Sequence, residues 1–194
     1  MTDRDKQPVM NGEAEAARPS TARQVFEFAW MVATAILLAF LIRTFLVQPY
    51  IIPTGSMIPT IEISDRVLAD KLTYRFRDPA PGEIVVFPDP TGENPTLIKR
   101  LIAVEGQTID IRDGSVYVDD VKLDEPYVHG KETQILPASI GAFPYTLPEG
   151  YAWVMGDNRP NSGDRRIFGP VPIDSIQGRG FFTYWPPKEM GALK

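Results

Sequence analysis

The sequence predicts an all-β domain of antiparallel sheets, preceded by one N-terminal transmembrane α-helix. Three observations carry this. A charge-free apolar run lies near the N-terminus. Beyond it the apolar segments are short, rich in Val, Ile, Tyr and Phe, and cut by Gly, Pro and Asp. With 19 prolines in 194 residues, no convincing amphipathic helix follows the run.

Residues 1–24 are polar, rich in small residues and without periodicity, which predicts a disordered tail. Residues 25–47 predict the anchor. Phe28 to Ile42 reads FAWMVATAILLAFLI, and Thr44 to Val47 extends the apolar character past Arg43 to about twenty residues, enough to cross a bilayer core. Every face is apolar, which separates the segment from the amphipathic helix of a soluble protein. Arg43 can extend its guanidinium to the headgroups, and Trp30 suits the opposite interface. The run is too long for a signal-peptide core and lacks small residues at A-x-A spacing after it, so it is expected to stay attached. Arg4, Lys6, Arg18 and Arg23 hold the short tail in the cytoplasm, which places residues 48–194 outside as one domain.

In that domain strands are predicted over Arg66–Lys71, Glu83–Phe87, Leu97–Val104, Thr108–Arg112, Ser115–Val118, Tyr151–Met155 and Arg179–Trp185. Asp113-Gly114 and Asp119-Asp120 read as hairpin turns on either side of Ser115–Val118. The sheets should curl into a barrel-like form. Asp124 to Gly150 is less regular and reads as an insertion or long excursion.

Composition excludes several functions. A net charge of −5 with scattered basic residues leaves no footprint for nucleic acid. Zero cysteines exclude disulfides, thiolate metal sites and a cysteine nucleophile. One histidine, His129, dispersed carboxylates and the lack of a glycine-rich phosphate loop give no reason to expect a metal or a cofactor.

The chemistry concentrates in three blocks. Ser56 lies in Pro53-Thr54-Gly55-Ser56-Met57-Ile58-Pro59-Thr60, shortly after the apolar run, and is the best nucleophile candidate. Since His129 sits in an unpatterned stretch, a serine enzyme built here needs another base, and lysine is the known alternative. Lys99 lies within Thr96-Leu97-Ile98-Lys99-Arg100-Leu101-Ile102-Ala103-Val104. In a strand it shares a face with Leu97, Leu101 and Ala103, where poor hydration favours the neutral amine. Arg100 shares the opposite face with Ile98, Ile102 and Val104, so alternation leaves open which basic residue turns inward. Only the lysine can act as base, because arginine does not deprotonate. The third block, Gly156-Asp157-Asn158-Arg159-Pro160-Asn161-Ser162-Gly163-Asp164-Arg165-Arg166, reads equally well as a hydrogen-bonded functional loop or a solvated turn.

Together these blocks resemble type I signal peptidases, the membrane-anchored Ser/Lys proteases that remove signal peptides from exported proteins in bacteria. The resemblance covers most of the chain: the anchor, S-M-x-P-T at Ser56 to Thr60, Asp65-Arg66-Val67, Gly82 to Phe87 leading to Lys99-Arg100, and G-D-N-R-x-x-S-x-D at Gly156 to Asp164. It implies the barrel-like signal-peptidase fold, with Ser56 as nucleophile and Lys99 as general base. The Ser56 backbone N–H and the Thr54 hydroxyl match the oxyanion-hole positions, and Ser162 matches the residue that orients the lysine. Asp157, Arg159, Asp164, Arg166 and Arg100 are expected to brace the loop as ion pairs. Tyr50, Ile52 and Ile98 match positions lining shallow pockets for an A-x-A cleavage signal, with an extended substrate pairing along a Tyr50–Pro53 strand.

The implied partners are signal peptides of exported preproteins and the lipid bilayer, and the implied location is the bacterial cytoplasmic membrane, crossed once. Met57 and Ile58 are read either as an exposed rim that dips into the bilayer or as ordinary core. The sequence departs from the family's commonest wording in three places: at Ile61, at Glu105-Gly106-Gln107 and at Arg165. None removes a catalytic atom, although Arg165 bears on how the Ser162 loop packs. The rival reading is a membrane-tethered β-domain that binds exported proteins without cleaving them.

Overall fold

The computed structural model describes residues 21–135, 142–162 and 169–194, so most of the tail expected over residues 1–24 lies outside the described residues. The chain divides into two units, Met1–Phe40 and Leu41–Lys194. Helix α1 (Thr21–Leu41) has no buried residue, and a π-helical turn at Ile42–Leu46 extends the helical stretch to 26 residues. At about 1.5 Å per residue that length exceeds the roughly 30 Å hydrocarbon core of a bilayer. Early in the helix Arg23 pairs with Glu27 at 2.8 Å, while the Thr34 hydroxyl donates back to the Trp30 carbonyl. The one hydroxyl in the middle of the apolar run therefore presents no unsatisfied donor.

The second unit carries strands β1 (Val47–Ile51), β2 (Arg66–Asp70), β3 (Ile84–Phe87), β4 (Leu97–Ala103), β5 (Thr108–Arg112), β6 (Ser115–Val118), β7 (Val121–Lys122), β8 (Tyr145–Thr146), β9 (Tyr151–Met155), β10 (Val171–Pro172), β11 (Gly178–Trp185) and β12 (Gly191–Ala192). A single short α-helix, α2 (Thr73–Phe76), is described among them. Each predicted strand forms to within a residue of its expected ends. Every strand pairing is antiparallel. The larger sheet runs β1-β2-β11-β3-β4-β9-β10 with β12 beside β11, and the smaller runs β7-β6-β5-β8. Register shifts in β11 at Gly180/Phe182 and Thr183/Trp185, and in β4 between Leu101 and Ala103, bend the large sheet into a curl.

Both hairpin turns are two-residue loops with left-handed backbone: Asp113 and Gly114 at φ 50° and 72°, Asp119 and Asp120 at φ 51° and 64°. This primed geometry matches the twist of the flanking strands. Aspartate tolerates it better than most side chains, and Asp119 also accepts from the Thr108 N–H at 2.8 Å.

Alternation separates the two kinds of strand. β5 and β6 bury every second residue, whereas β3 is buried throughout and β4 from Lys99 onward, so the middle of the large sheet is covered on both faces. One cluster, with Ile102, Ala103, Val116, Trp153 and Met155, fills the space between the sheets. There Trp153 meets Phe143 edge-on at 5.6 Å and Tyr145 at 5.7 Å, contacts worth about 0.5–1.5 kcal/mol each beyond area burial. A second cluster lies around Val85, Phe87, Leu101 and Val154. A third, of Ile52, Met57, Ile61, Val67 and Ile84, underlies the Ser56 segment.

Candidate active site

Strand β1 ends at Ile51, but its pairing with the β2 side continues: the Ile52 N–H donates to the Asp65 carbonyl at 2.9 Å and the Ser64 N–H to the Ile52 carbonyl at 2.8 Å. The chain then turns sharply, with Ile58 N–H to Gly55 C=O at 3.3 Å and Ile61 N–H to Met57 C=O at 3.0 Å. Met57 and Ile61 are fully buried beneath this turn. The exposed-rim reading of Met57 is therefore corrected. The turn folds its side chain down onto Ile52, Val67 and Ile84, and Ile58 is left half-buried.

Lys99 enters from β4, opposite Val85 of β3, and its Nζ is hydrogen-bonded to Ser56 Oγ at 2.5 Å. Both residues are buried, at 3 % and 8 % exposure. The ambiguity between the two basic residues resolves in an unexpected way, since Arg100 is also buried, at 1 %. A strand covered on both faces gives alternation nothing to select, and their partners distinguish the two instead. Arg100 grips Asp157 with Nε at 2.9 Å and Nη2 at 2.7 Å, gives Nη1 to the Gly82 carbonyl at 2.7 Å, and lies over the Tyr127 ring at 3.9 Å. This bidentate pairing offsets the cost of burying both charges.

The turn after β9 holds the Ser56 segment from the other side. Asp157 accepts from Thr60 Oγ1 at 2.5 Å in addition to Arg100. The Asn158 N–H donates to the Ser56 carbonyl at 3.0 Å, and its Nδ2 to the Gly55 carbonyl at 2.8 Å. Arg159, wholly buried, donates to the Gly156 carbonyl at 3.0 Å and to Thr133 Oγ1 at 2.7 Å, and forms an ion pair with Glu125. Gly156 is required for this approach. A Cβ there would lie 2.2 Å from Ser162 Oγ and 2.4 Å from the Ser56 carbonyl oxygen. Ser162 is buried beside that point, and its hydroxyl makes no hydrogen bond among the described residues. Asp164, Arg165 and Arg166 lie outside the described residues.

Sequence reasoning missed Thr60, Glu125, Tyr127, Lys131 and Thr133. The last four come from the irregular Asp124–Gly150 stretch, whose lack of periodicity hides its contacts. Tyr127 donates to Glu125 Oε1 at 2.9 Å, and burial together with that carboxylate pushes its phenol well above the usual range. It therefore stays neutral between Arg100 and Arg159. Lys131 Nζ lies 2.9 Å from Asn158 Oδ1 and 3.4 Å from the Ile58 carbonyl.

A cleft opens beside Ser56 and Lys99, and Tyr50, Ile52, Thr54 and Ile98 all line it. Its walls are two partly open strands. β1 is the outermost strand of its sheet, and β4 pairs with β3 from Leu97 but meets β9 only from Arg100. Burial raises the pKa of the half-buried Tyr50 phenol, which keeps it protonated. Neither the Ser56 N–H nor the exposed Thr54 hydroxyl makes a hydrogen bond among the described residues.

The model of one protein family, signal peptidase, peptidase S26, matches residues 25–185. The chain is 38 % identical over 167 residues to thylakoidal processing peptidase 1, chloroplastic, of Arabidopsis thaliana, with 81 % of this chain and 47 % of that protein covered. It thus spans about half the length of that relative. It is 36 % identical over 182 residues to a probable signal peptidase I-1 of Synechocystis, with 90 % of each covered. To the signal peptidase I of Mycobacterium tuberculosis it is 32 % identical over 242 residues, with 98 % of this chain and 81 % of that protein covered.

Proposed function

Because the chain belongs to the peptidase S26 signal peptidase family, we propose that it is a membrane-bound serine endopeptidase that removes N-terminal signal peptides from exported preproteins after an A-x-A site. One observation carries the reading: a buried lysine amine 2.5 Å from a serine hydroxyl at the edge of a cleft walled by open strands. Ser56 Oγ attacks the scissile carbonyl as its proton passes to Lys99 Nζ, which requires the lysine to begin neutral. The resulting oxyanion takes the Ser56 N–H and the Thr54 hydroxyl, two donors that make no hydrogen bond among the described residues. Lys99 returns the proton to the departing amine. Water then hydrolyses the acyl ester by the same route in reverse. Ser162 is proposed to orient the amine: its buried hydroxyl, without a partner among the described residues, is available to an ammonium as it forms.

The substrate lies extended between the Tyr50–Pro53 segment and the open edge of β4, using backbone hydrogen bonds for affinity. Tyr50, Ile52 and Ile98 restrict side chains to small ones. The domain organisation that follows is a cytoplasmic tail over 1–24, a single membrane span over 25–47 and an extracytoplasmic catalytic domain over 48–194, in the bacterial cytoplasmic membrane.

Incubating the detergent-solubilised chain with a preprotein and sequencing the product's new N-terminus tests activity and specificity together. Cleavage directly after Ala-x-Ala is expected, with a rate that declines in acid as Lys99 gains a proton. An intact preprotein would favour the tethered, non-cleaving domain instead.

A further inference from the structure

The contacts around Asn158 connect a charge to the proposed oxyanion donor through one continuous line of dipoles. Gly55 C=O and Ser56 N–H belong to the same peptide group. Asn158 Nδ2 donates to that carbonyl at 2.8 Å, while Asn158 Oδ1 lies 2.9 Å from Lys131 Nζ. Both ends fix the amide's orientation: a lysine ammonium can only donate and a peptide carbonyl can only accept, so the oxygen must face Lys131 and the nitrogen must face Gly55. The neighbouring peptide is held as well, because the Asn158 N–H donates to the Ser56 carbonyl at 3.0 Å. Lys131 further donates to the Ile58 carbonyl at 3.4 Å, so it spans from the turn after β9 to the Ser56 turn itself.

Hydrogen bonds in a chain polarise one another, and a peptide whose carbonyl accepts a bond becomes a stronger donor at its N–H. We propose that Asn158, seated by Lys131, is a positioning residue that orients and polarises the Gly55–Ser56 peptide so that its N–H meets the oxyanion. This rests on the reading of Ser56 as nucleophile and of its N–H as oxyanion donor. It also gives part of the Asp124–Gly150 excursion a role in the reaction: Lys131 supplies the positive end of the line. Neither Asn158 nor Lys131 lines the cleft, so the line reaches the proposed oxyanion only through the Ser56 N–H. The whole effect therefore falls on the state in which the scissile carbonyl oxygen carries charge.

The test uses the full-length chain in detergent with Asn158→Leu, which removes both side-chain bonds, and Asn158→Asp, which keeps the size and the Lys131 partner but removes the donor. Both should lower kcat by about 10- to 100-fold, below the roughly 100- to 1,000-fold expected for outright loss of an oxyanion donor. KM and the pH dependence should not move. Affinity for a peptide aldehyde, whose tetrahedral adduct places an oxygen on the Ser56 N–H, should fall by the same factor. Affinity for the matching peptide amide should be unchanged. Lys131→Met, which leaves the Asn158 bond to the Gly55 carbonyl in place and gives up the 3.4 Å contact to the Ile58 carbonyl, should shift the same quantities in the same direction by a smaller factor, and melting curves check that each variant is folded.

A kcat within threefold of wild type for Asn158→Asp, or an equal loss for aldehyde and amide, overturns the proposal. A second readout is independent of turnover. In chain labelled with 15N-serine, and with Ser56→Ala as the assignment control, the Ser56 amide proton should move upfield in Asn158→Leu. If wild type fails to cleave, the functional reading falls. An unmoved resonance would then overturn the proposed polarisation on its own.

Discussion

The two sides of the Ser56 segment are built on different principles. The side toward Gly156–Asn161 and Glu125–Thr133 is closed: two buried ion pairs, Arg100–Asp157 and Arg159–Glu125, sit among side-chain hydrogen bonds to Thr60, Thr133 and the carbonyls of Gly55 and Gly156. The side toward the cleft is open, with strand edges at β1 and at the start of β4 and aliphatic walls at Ile52 and Ile98. Positioning of reacting atoms tolerates little displacement, so the closed side carries dense, geometrically exacting contacts. Recognition of an extended peptide needs backbone groups left unpaired, and the open side provides them.

This contrast predicts a ranked set of responses. The largest belongs to the pair on the boundary. Ser56→Ala and Lys99→Met should each abolish turnover, with loss of the base alone costing about 10²–10⁴-fold, while the melting temperature holds. Appreciable cleavage by either variant, measured by product sequencing, would remove the dyad assignment. Next is the closed side. Asp157→Ala strands a guanidinium that is 1 % exposed and should cost about 3–5 kcal/mol in urea titration, with activity lost alongside. A cost under 1 kcal/mol would mean that the network is dispensable.

The open side should respond by specificity rather than by stability. Ile98→Phe narrows the cleft and should reduce kcat/KM for an Ala-x-Ala substrate about tenfold, within the range of a small change of pocket volume, while the melting temperature shifts little. Equal losses of stability and activity would blur the distinction between the two sides.

The smallest effect serves as a control at a side chain that pairs with Arg77, Tyr74 and Arg179 and with neither side of the site. Glu83 is a half-buried carboxylate: burial would raise its pKa, but hydrogen bonds from Arg77, the Ala80 N–H and Tyr74 outweigh burial and hold it below the usual carboxylate range. A depressed folded pKa contributes stability that is present above the unfolded value and lost as pH falls through the folded one. Glu83→Gln should therefore flatten the loss of stability on going from pH 5 to pH 3, read as urea midpoints, and leave the cleavage rate at neutral pH unchanged.

What could be read from the sequence tracks how local the determining physics is. The hairpin around Ser115–Val118 was legible because its turn residues and its period-2 pattern lie within a dozen positions. The place of β11 between β2 and β3 was not, since Arg179 meets Asp70 and Val85 across more than ninety residues of chain and nothing in the strand's own pattern names those partners. At the site, Ser56 and Lys99 stood out by elimination, because cysteine is absent and the lone histidine lies in an unpatterned stretch. Which face of β4 turned inward was undecidable from alternation, for the physical reason that both faces do. The clamp residues Glu125, Tyr127, Lys131 and Thr133 carried no signal. An ion pair or a stacked ring is defined by where its partner sits, and their partners are Arg159, Arg100 and Asn158, far along the chain.

The stacking of Tyr127 on Arg100 has a consequence for anyone wishing to recombine this protein with its relatives. The Asp124–Gly150 stretch looks like a detachable module, irregular at its start and bounded by strands. Yet Glu125, Tyr127, Lys131 and Thr133 form one half of a lock whose other half is Arg100, Asn158 and Arg159. A graft that swaps the stretch while leaving the host strands in place inherits a mismatched half. The exchangeable unit is the stretch together with the turn after β9 and Arg100 of β4, and only chimeras that move all three together should stay folded and active.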